Sequence, residues 1–183
     1  KKLMTRSVMT RNVTKQQGYS LVEVLVAVLV MGIGVLGVSA LQMVSLQNNR
    51  SALASGEAVQ LAYDVMDRIR ANPLGTVPGQ AYDGLAIGDE PPAAEDCMAR
   101  SCTQMQMVAF DQALWKCSLG GFENNSTCIA FRGSGVLPRF SAQPGLPGGD
   151  GAVSVSSAGV VSVTVQWLEP DSQIRSITVD SRG

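Results

Sequence analysis

The sequence predicts an α+β fold in which one long N-terminal helix packs on a small antiparallel β-sheet head. No proline interrupts residues 21–71, where an uncharged apolar run is followed by apolar residues at helical spacing. Residues 152–180 contain three alternating runs separated by turn-forming residues, the pattern of a β-meander. With 183 residues, the chain has room for one globular core besides the apolar segment.

The first half of the predicted helix is apolar enough to cross a membrane. Leu21 to Leu41 supplies the ~20 residues that span the hydrocarbon of a bilayer. Glu23 carries the one charge in this block, near its start. An unpaired carboxylate costs at least ~2.5 kcal/mol within a membrane, so Glu23 is a candidate functional residue.

The second half of the helix has an apolar stripe and a clear end. Arg68 and Arg70 precede Pro73, which indicates a stop near Ala71. A helix from Ser20 to Ala71 would be about 78 Å long. Two helices broken around residues 47–50 are the alternative. The stripe consists of Ala58, Leu61, Ala62, Val65 and Ile69.

Charge is distributed unevenly along the chain. Five of the 14 basic side chains and none of the 15 acidic ones precede Gly18, which leaves a net charge of −6 on the rest. This asymmetry favours a membrane orientation with a cytoplasmic N-terminus over nucleic-acid binding by the body. A cut after Gly18 would make the apolar run a permanent anchor; a cut near Ala40 or an uncleaved membrane helix are the alternatives.

Four cysteines, Cys97, Cys102, Cys117 and Cys128, follow the apolar run. An even number in an exported domain indicates disulfides, and three pairings are possible. We favour Cys97 with Cys102 and Cys117 with Cys128, because both loops are local and turn-prone. The spacing is wrong for a zinc site, and reduced buried thiols are the other alternative.

The rest of the head is predicted element by element. Residues 74–95 are expected to form a long surface connection, and Thr103 to cap a helix that runs to about Lys116. Residues 120–127 and 133–151 are expected to be loops. The buried side of the helix is predicted to contain Met107, Phe110, Leu114 and Trp115.

Three strands are predicted at Ala152–Ser156, Val160–Trp167 and Ile174–Asp180. One face of the central strand should pack on the second half of the long helix. That face carries Val161, Val163, Val165 and Trp167.

Residues 15–24 read Lys-Gln-Gln-Gly-Tyr-Ser-Leu-Val-Glu-Val and resemble the class III leader and N-methylation motif of type IV prepilins and type II secretion pseudopilins. The resemblance implies that prepilin peptidase cleaves after Gly18 and methylates the amine of Tyr19, where phenylalanine is more usual. It implies the type IV pilin fold, divided into a leader (1–18), a long helix (19–72, with 19–41 in the membrane or filament core) and a periplasmic or extracellular head (73–183).

The head is similar to PilV-type minor pilins, and the absence of proline between Tyr19 and Asn72 also favours a minor over a major subunit. The family role implied for Glu23 is to meet the Tyr19 α-ammonium of a neighbouring subunit; snorkelling to the headgroups is the alternative. The similarity rests on Asp96-Cys97, Cys102-Thr103, Ala109-Phe110-Asp111, Leu114-Trp115, Leu146-Pro147-Gly148-Gly149 and residues 163–167.

The resemblance implies a subunit that inserts in the inner membrane and then helps to initiate a pilus, at its tip. Its partners would be other minor pilins, the major pilin, prepilin peptidase and the inner-membrane assembly platform. A pseudopilin and a membrane-tethered adhesin are the alternatives. The chain has no histidine, and its acidic residues form no motif that pairs a nucleophile with a base. We therefore expect no enzymatic activity, metal or cofactor.

Overall fold

The computed structural model describes residues 18–72, 74, 81–137 and 145–182. The predicted leader up to residue 17 and parts of two predicted loops, 75–80 and 138–144, lie outside these residues. The chain divides into two compact units, one up to Leu46 and one from Gln47 onward, which are described separately. The elements in chain order are α1 (Leu21–Ala71), α2 (Gln104–Leu119), α3 (Ser126–Ser134), β1 (Asp150–Val155), β2 (Val160–Leu168) and β3 (Ile174–Arg182).

Helix α1 forms as predicted, as one helix rather than two. The Ser20 carbonyl accepts hydrogen bonds from the amides of Glu23 (2.9 Å) and Val24 (3.3 Å), so Ser20 stands just before the first helical residue. The helix ends at Ala71, with Arg68 and Arg70 in its last turn. These cations lie beside the negative end of the helix dipole, where they stabilise it.

The first unit consists of helix α1 up to Leu46 and the residues before it. All of its described side chains are exposed, including every large apolar one. By length and composition, α1 is the one described helix able to cross a membrane, with a mean hydropathy of 2.7 in its most apolar window. This part of the helix therefore has no core of its own among the described residues.

The core of the second unit lies between α1, α2 and the sheet. Ala58, Ala62, Val65 and Ile69 of α1 are fully buried, as the helical spacing predicts. They share one apolar cluster with Trp115 and Leu119 of α2 and with the inner face of β2. The Trp115 indole donates a hydrogen bond to the Leu61 carbonyl (2.9 Å), which joins α2 to α1.

The sheet is an antiparallel meander in the order β1-β2-β3, as predicted. In its register, Val163 of β2 pairs with Val153 of β1 and Val179 of β3. Side chains on β2 alternate strictly between buried and more exposed positions, as expected of a sheet with one face on the core. The expected inner face is confirmed: Val161, Val163, Val165 and Trp167 are all buried.

Two parts of the head differ from the prediction. The connection predicted to lie on the surface carries Tyr82, which is fully buried, and Leu85, which forms a β-bridge with Val153. The apolar residues of this segment show little periodicity, so the pattern gave no sign that it packs on the sheet.

The second difference is helix α3, which begins within the segment predicted to be a loop. Asn125 caps it by accepting a hydrogen bond from the Thr127 amide (2.9 Å), and Gly135 ends it with φ of 87°. The nine residues of α3 are too few to show a helical period in the sequence. The loop expected over 133–151 is correspondingly shorter, because α3 extends to Ser134 and β1 begins at Asp150.

Two disulfides hold the elements around α2. Cys97 and Cys102 close a short loop before α2, with 5.6 Å between their α-carbons. Cys117 of α2 joins Cys128 of α3 at 5.2 Å. This is the pairing favoured from the local spacing, and both α-carbon separations lie within the ordinary range for disulfides.

Candidate processing and assembly site

Gly18 and Tyr19 stand in front of α1 without any packing against the described chain. Tyr19 is 83% exposed, and a β-carbon added at Gly18 would have nothing within 4 Å. Gly18 also lacks the positive φ that would require glycine. Within the described residues, neither backbone conformation nor packing therefore requires glycine at this position.

Glu23 is placed in the first turn of α1, where a carboxylate interacts favourably with the helix dipole. Within the part of the chain that the structure describes, its carboxylate makes no hydrogen bond or ion pair. Tyr19, Glu23, Ala27 and Met31 line one shallow groove along the start of the helix. The acid thus lies on the same side as the Tyr19 residue whose amine a cut after Gly18 would release.

The surface around this acid is continuously apolar. Burying one large aliphatic side chain contributes about 1.5–3 kcal/mol, so a stripe of this length is unstable in water. It requires lipid or the apolar faces of other helices. Gly32, Gly34 and Gly37 have open space around their α-carbons, which lets a partner helix approach closely. The exposed residues include Leu21, Leu25, Leu29, Met31, Ile33, Leu36 and Leu41.

In the second unit, a polar network holds the end of α1 to α2. Arg68 forms ion pairs with Asp64 (2.9 Å) and with Asp111 of α2 (3.4 Å), and Asp111 accepts a 2.6 Å hydrogen bond from the Tyr82 hydroxyl. Burial and this hydrogen bond to Asp111 raise the pKa of Tyr82. Burial lowers the pKa of Arg68, but its bonds to the two carboxylates more than compensate, so the net shift is upward.

A second buried contact joins α2 to β1. The Lys116 ammonium is fully buried and lies 2.5 Å from an Asp150 carboxylate oxygen. It also donates to the Ala86 carbonyl (2.8 Å) and faces the Phe122 ring at 5.2 Å. Neither network could be predicted from the sequence, because the paired residues are 43 and 34 positions apart.

The four cysteine residues form disulfides that hold α2 in place, and they are not metal ligands. One disulfide closes the loop before α2, the other joins α2 to α3, and Cys128 is fully buried. Among the described residues, no three histidine, cysteine, aspartate or glutamate side chains come together as potential metal ligands. The cysteines therefore have a structural role in positioning α2.

Comparisons with known proteins match two adjoining parts of the chain. Residues 13–39 match the model of the prokaryotic N-terminal methylation motif, and residues 40–113 match that of the type IV pilin Tt1218. Together they cover more than half of the chain. No curated protein and no solved structure matches the sequence. The long N-terminal helix, the three-stranded antiparallel sheet and the two disulfides fit the fold that these models indicate.

The apolar helix and the methylation motif together place the chain in a membrane before assembly and in a pilus afterwards. Such chains are substrates of prepilin peptidase rather than enzymes, and they associate with pilus components. The chain belongs to the type IV pilins that carry a class III prepilin leader.

Proposed function

We propose that this chain is a minor pilin of the PilV type that helps to initiate pilus assembly at the tip, together with other minor pilins. The observation that carries the proposal is the methylation-motif match over residues 13–39, which includes Gly18, Tyr19 and Glu23 at the start of a helix with an exposed apolar surface. The absence of proline between Tyr19 and Asn72 supports a minor subunit.

Processing occurs at the exposed residues before α1. Prepilin peptidase cleaves after Gly18 and methylates the new amine of Tyr19, leaving residues 19–72 as the long helix and 73–183 as the head. Five basic residues precede Gly18, so the positive-inside rule keeps the leader cytoplasmic and the head periplasmic. The assembly platform of the inner membrane then takes up the mature chain.

Glu23 sets the register of the incoming subunit. Its carboxylate has no partner within the described chain, and the methylated Tyr19 amine of a neighbour supplies the opposite charge. Each charge lowers the cost of burying the other, whereas a single unpaired charge resists burial among apolar helices. Other minor pilins and the major pilin provide that apolar environment.

Intact mass of the exported protein tests the processing step. A chain that begins at methylated Tyr19 is expected, and one that begins near Ala40 would overturn the proposal. Glu23→Ala tests the pairing: we expect normal cleavage and methylation, but at least tenfold less of the variant in sheared pili, since an unpaired buried charge costs more than about 1.4 kcal/mol. Glu57→Ala, an acid farther along α1, is the matched control.

Deletion of the gene separates this function from its alternatives. A pilus initiator predicts fewer surface pili, with restoration by the wild-type chain. Normal pilus numbers with lost attachment would indicate an adhesin, and normal pili with lost protein export would indicate a pseudopilin of type II secretion. The exposed stretch that Cys117 and Cys128 enclose would be the contact surface in the adhesin case.

A further inference from the structure

A polar cavity of about 290 Å³ lies in the second unit, where the first turns of α1 in that unit meet the β2–β3 turn. We call it the turn site. Its polar lining consists of Gln47, Asn48, Ser51, Glu169, Asp171 and Arg175.

Glu169 is a buried carboxylate without a charged partner. It is 9% exposed, and one of its oxygens accepts hydrogen bonds from the Ser51 hydroxyl (2.9 Å) and the Trp167 indole (3.0 Å). Both donors are neutral, and no basic group of the described residues lies within ion-pair distance. Since buried carboxylates are normally paired with a cation, the turn site favours a positively charged ligand group.

The rim of the cavity carries charges of both signs. Asp171 and Arg175 are exposed, and neither forms an ion pair with any described residue. Asp171 accepts a hydrogen bond from the Gln173 amide (3.1 Å), which fixes the turn and leaves its second oxygen available. A guanidinium binds phosphate, and carboxylates bind an ammonium group. The site therefore complements a zwitterion that carries both groups.

Apolar side chains stand beside these charges. Leu168 and Ile174 pair across β2 and β3 at the same end of the sheet and are 43% and 68% exposed. Exposed apolar residues next to a basic one are typical of segments that insert at the surface of a membrane. The opposite end of the sheet, at the Ser156–Gly159 turn, has no exposed large apolar residue.

The sequence position of the site matches the polar surface of a bilayer. Hydrocarbon about 30 Å thick takes ~20 residues of helix, and the headgroups add roughly 5–7 Å on each side. A span that begins near Leu21 or Val24 therefore ends between Leu41 and Val44, and the headgroup region covers the next three to five residues or so. Gln47 and Asn48 fall in that region when the span begins near Val24.

We propose that the turn site binds the phosphoethanolamine headgroup of a membrane phospholipid, with the ammonium at Glu169 and Asp171 and the phosphate at Arg175. Leu168 and Ile174 contact the acyl boundary. The site fastens the head to the periplasmic leaflet before assembly and releases it when the subunit enters the filament. The inference rests on the membrane anchoring in the proposed function, and on neither pilus initiation nor tip position.

The test uses the full chain reconstituted in phosphatidylcholine vesicles with and without phosphatidylethanolamine. Amide hydrogen exchange of residues 169–175 is expected to slow about tenfold when phosphatidylethanolamine is present, the effect of one charge-assisted contact. The Ser156–Gly159 turn serves as the internal reference. A photoreactive amino acid in place of Ile174 should crosslink to lipid, and one in place of Ser157 should not.

Charge variants establish the chemistry of recognition. Asp171→Asn with Arg175→Gln keeps the turn hydrogen bond but is expected to abolish the lipid-dependent protection. Asp180→Asn with Arg182→Gln makes the same charge change at the other end of β3 and should leave the lipid-dependent protection intact. The headgroup site would be overturned by any of three results. Amide exchange could be equally fast with and without phosphatidylethanolamine, or both double variants could lose the lipid-dependent protection equally. The photoreactive residue at position 174 could also crosslink to another protein instead of lipid.

Flotation of the vesicles distinguishes this proposal from the one on which it rests. A chain that does not float with the lipid contradicts membrane anchoring and the turn site together. A chain that floats but shows no lipid-dependent protection contradicts the turn site alone.

Discussion

The buried ammonium of Lys116 offers the sharpest test of how the head is held together. Lys116→Met keeps a side chain of similar length and removes the charge that faces Asp150 at 2.5 Å. The Ala86 carbonyl loses one of its two donors in the same step and keeps the Asp89 amide at 3.3 Å. Asp150 keeps backbone donors at 2.6 Å from Gly88 and Gly151, so its carboxylate is left hydrogen-bonded but without a counter-ion.

Removing one member of a buried ion pair costs about 3–5 kcal/mol, because the remaining charge stays desolvated. Lys116 is fully buried and Asp150 is 8% exposed, so solvent cannot take over the missing contact. A unit of this size loses roughly 3–5 °C in Tm for each kcal/mol. We therefore expect Tm to fall by about 9–25 °C.

Near-ultraviolet circular dichroism of the full chain in detergent follows this transition through the buried Trp115 and Trp167. Arg100→Gln is the matched control, because it breaks the ion pair with Glu95, in which both side chains are at least half exposed (58% and 50%). This substitution should lower the free energy of unfolding by less than about 1 kcal/mol. Lys116→Met with Asp150→Asn should recover part of the loss. The reasoning is refuted if Lys116→Met is as mild as the control, or if the double variant costs the sum of the two single ones.

Two further predictions concern the surroundings of α2. Burial raises the pKa of Tyr82, so on raising the pH the Tyr82 hydroxyl ionises first in the unfolded chain, near pH 10. The free energy of unfolding should therefore fall above pH 10, by up to about 1.4 kcal/mol per pH unit. Tyr82→Phe should lower the free energy of unfolding by about 1–3 kcal/mol at neutral pH. In denaturant titrations at several pH values, the variant should lack the part of the pH dependence that Tyr82 contributes; an unchanged pH dependence would contradict its assignment to Tyr82. Under mild reductant, the disulfide between the half-buried residues Cys97 and Cys102 should open before Cys117–Cys128, whose two residues are 8% and 0% exposed. Alkylation and mass spectrometry would show the order of opening, and the reverse order would contradict the prediction.

Elements formed by local patterns could be predicted from the sequence. Helix α1 follows from an uninterrupted run without proline, and its bounds differ from the prediction by one residue at Ser20. The three strands follow from side-chain alternation, which requires only neighbours in sequence. The observed bounds differ from the prediction by one or two residues: β1 begins two residues earlier and ends one earlier, β2 ends one residue later and β3 ends two later.

Contacts between distant residues could not be predicted in this way. Arg68 and Asp111 are 43 positions apart, and Ser51 and Glu169 are 118 apart. A single sequence identifies each as a polar residue but gives no sign of its partner. Tyr82 was missed for the same reason, because its burial depends on α2 and the end of α1 rather than on its own segment.

The two proposed sites act at opposite ends of one apolar segment, and the energetics of assembly explain why polar groups are needed there. Lipid tails and packed helices are similarly apolar, so moving Leu21–Leu46 from bilayer to filament yields little hydrophobic free energy. The direction of transfer must then come from polar contacts that differ between the two environments. As proposed, a Glu23 carboxylate paired with a neighbour's Tyr19 amine would exist only in the filament, whereas a headgroup at Glu169 and Arg175 would exist only at the membrane. On these two proposals, the balance between a gained ion pair and a lost lipid contact would determine when the subunit leaves the membrane.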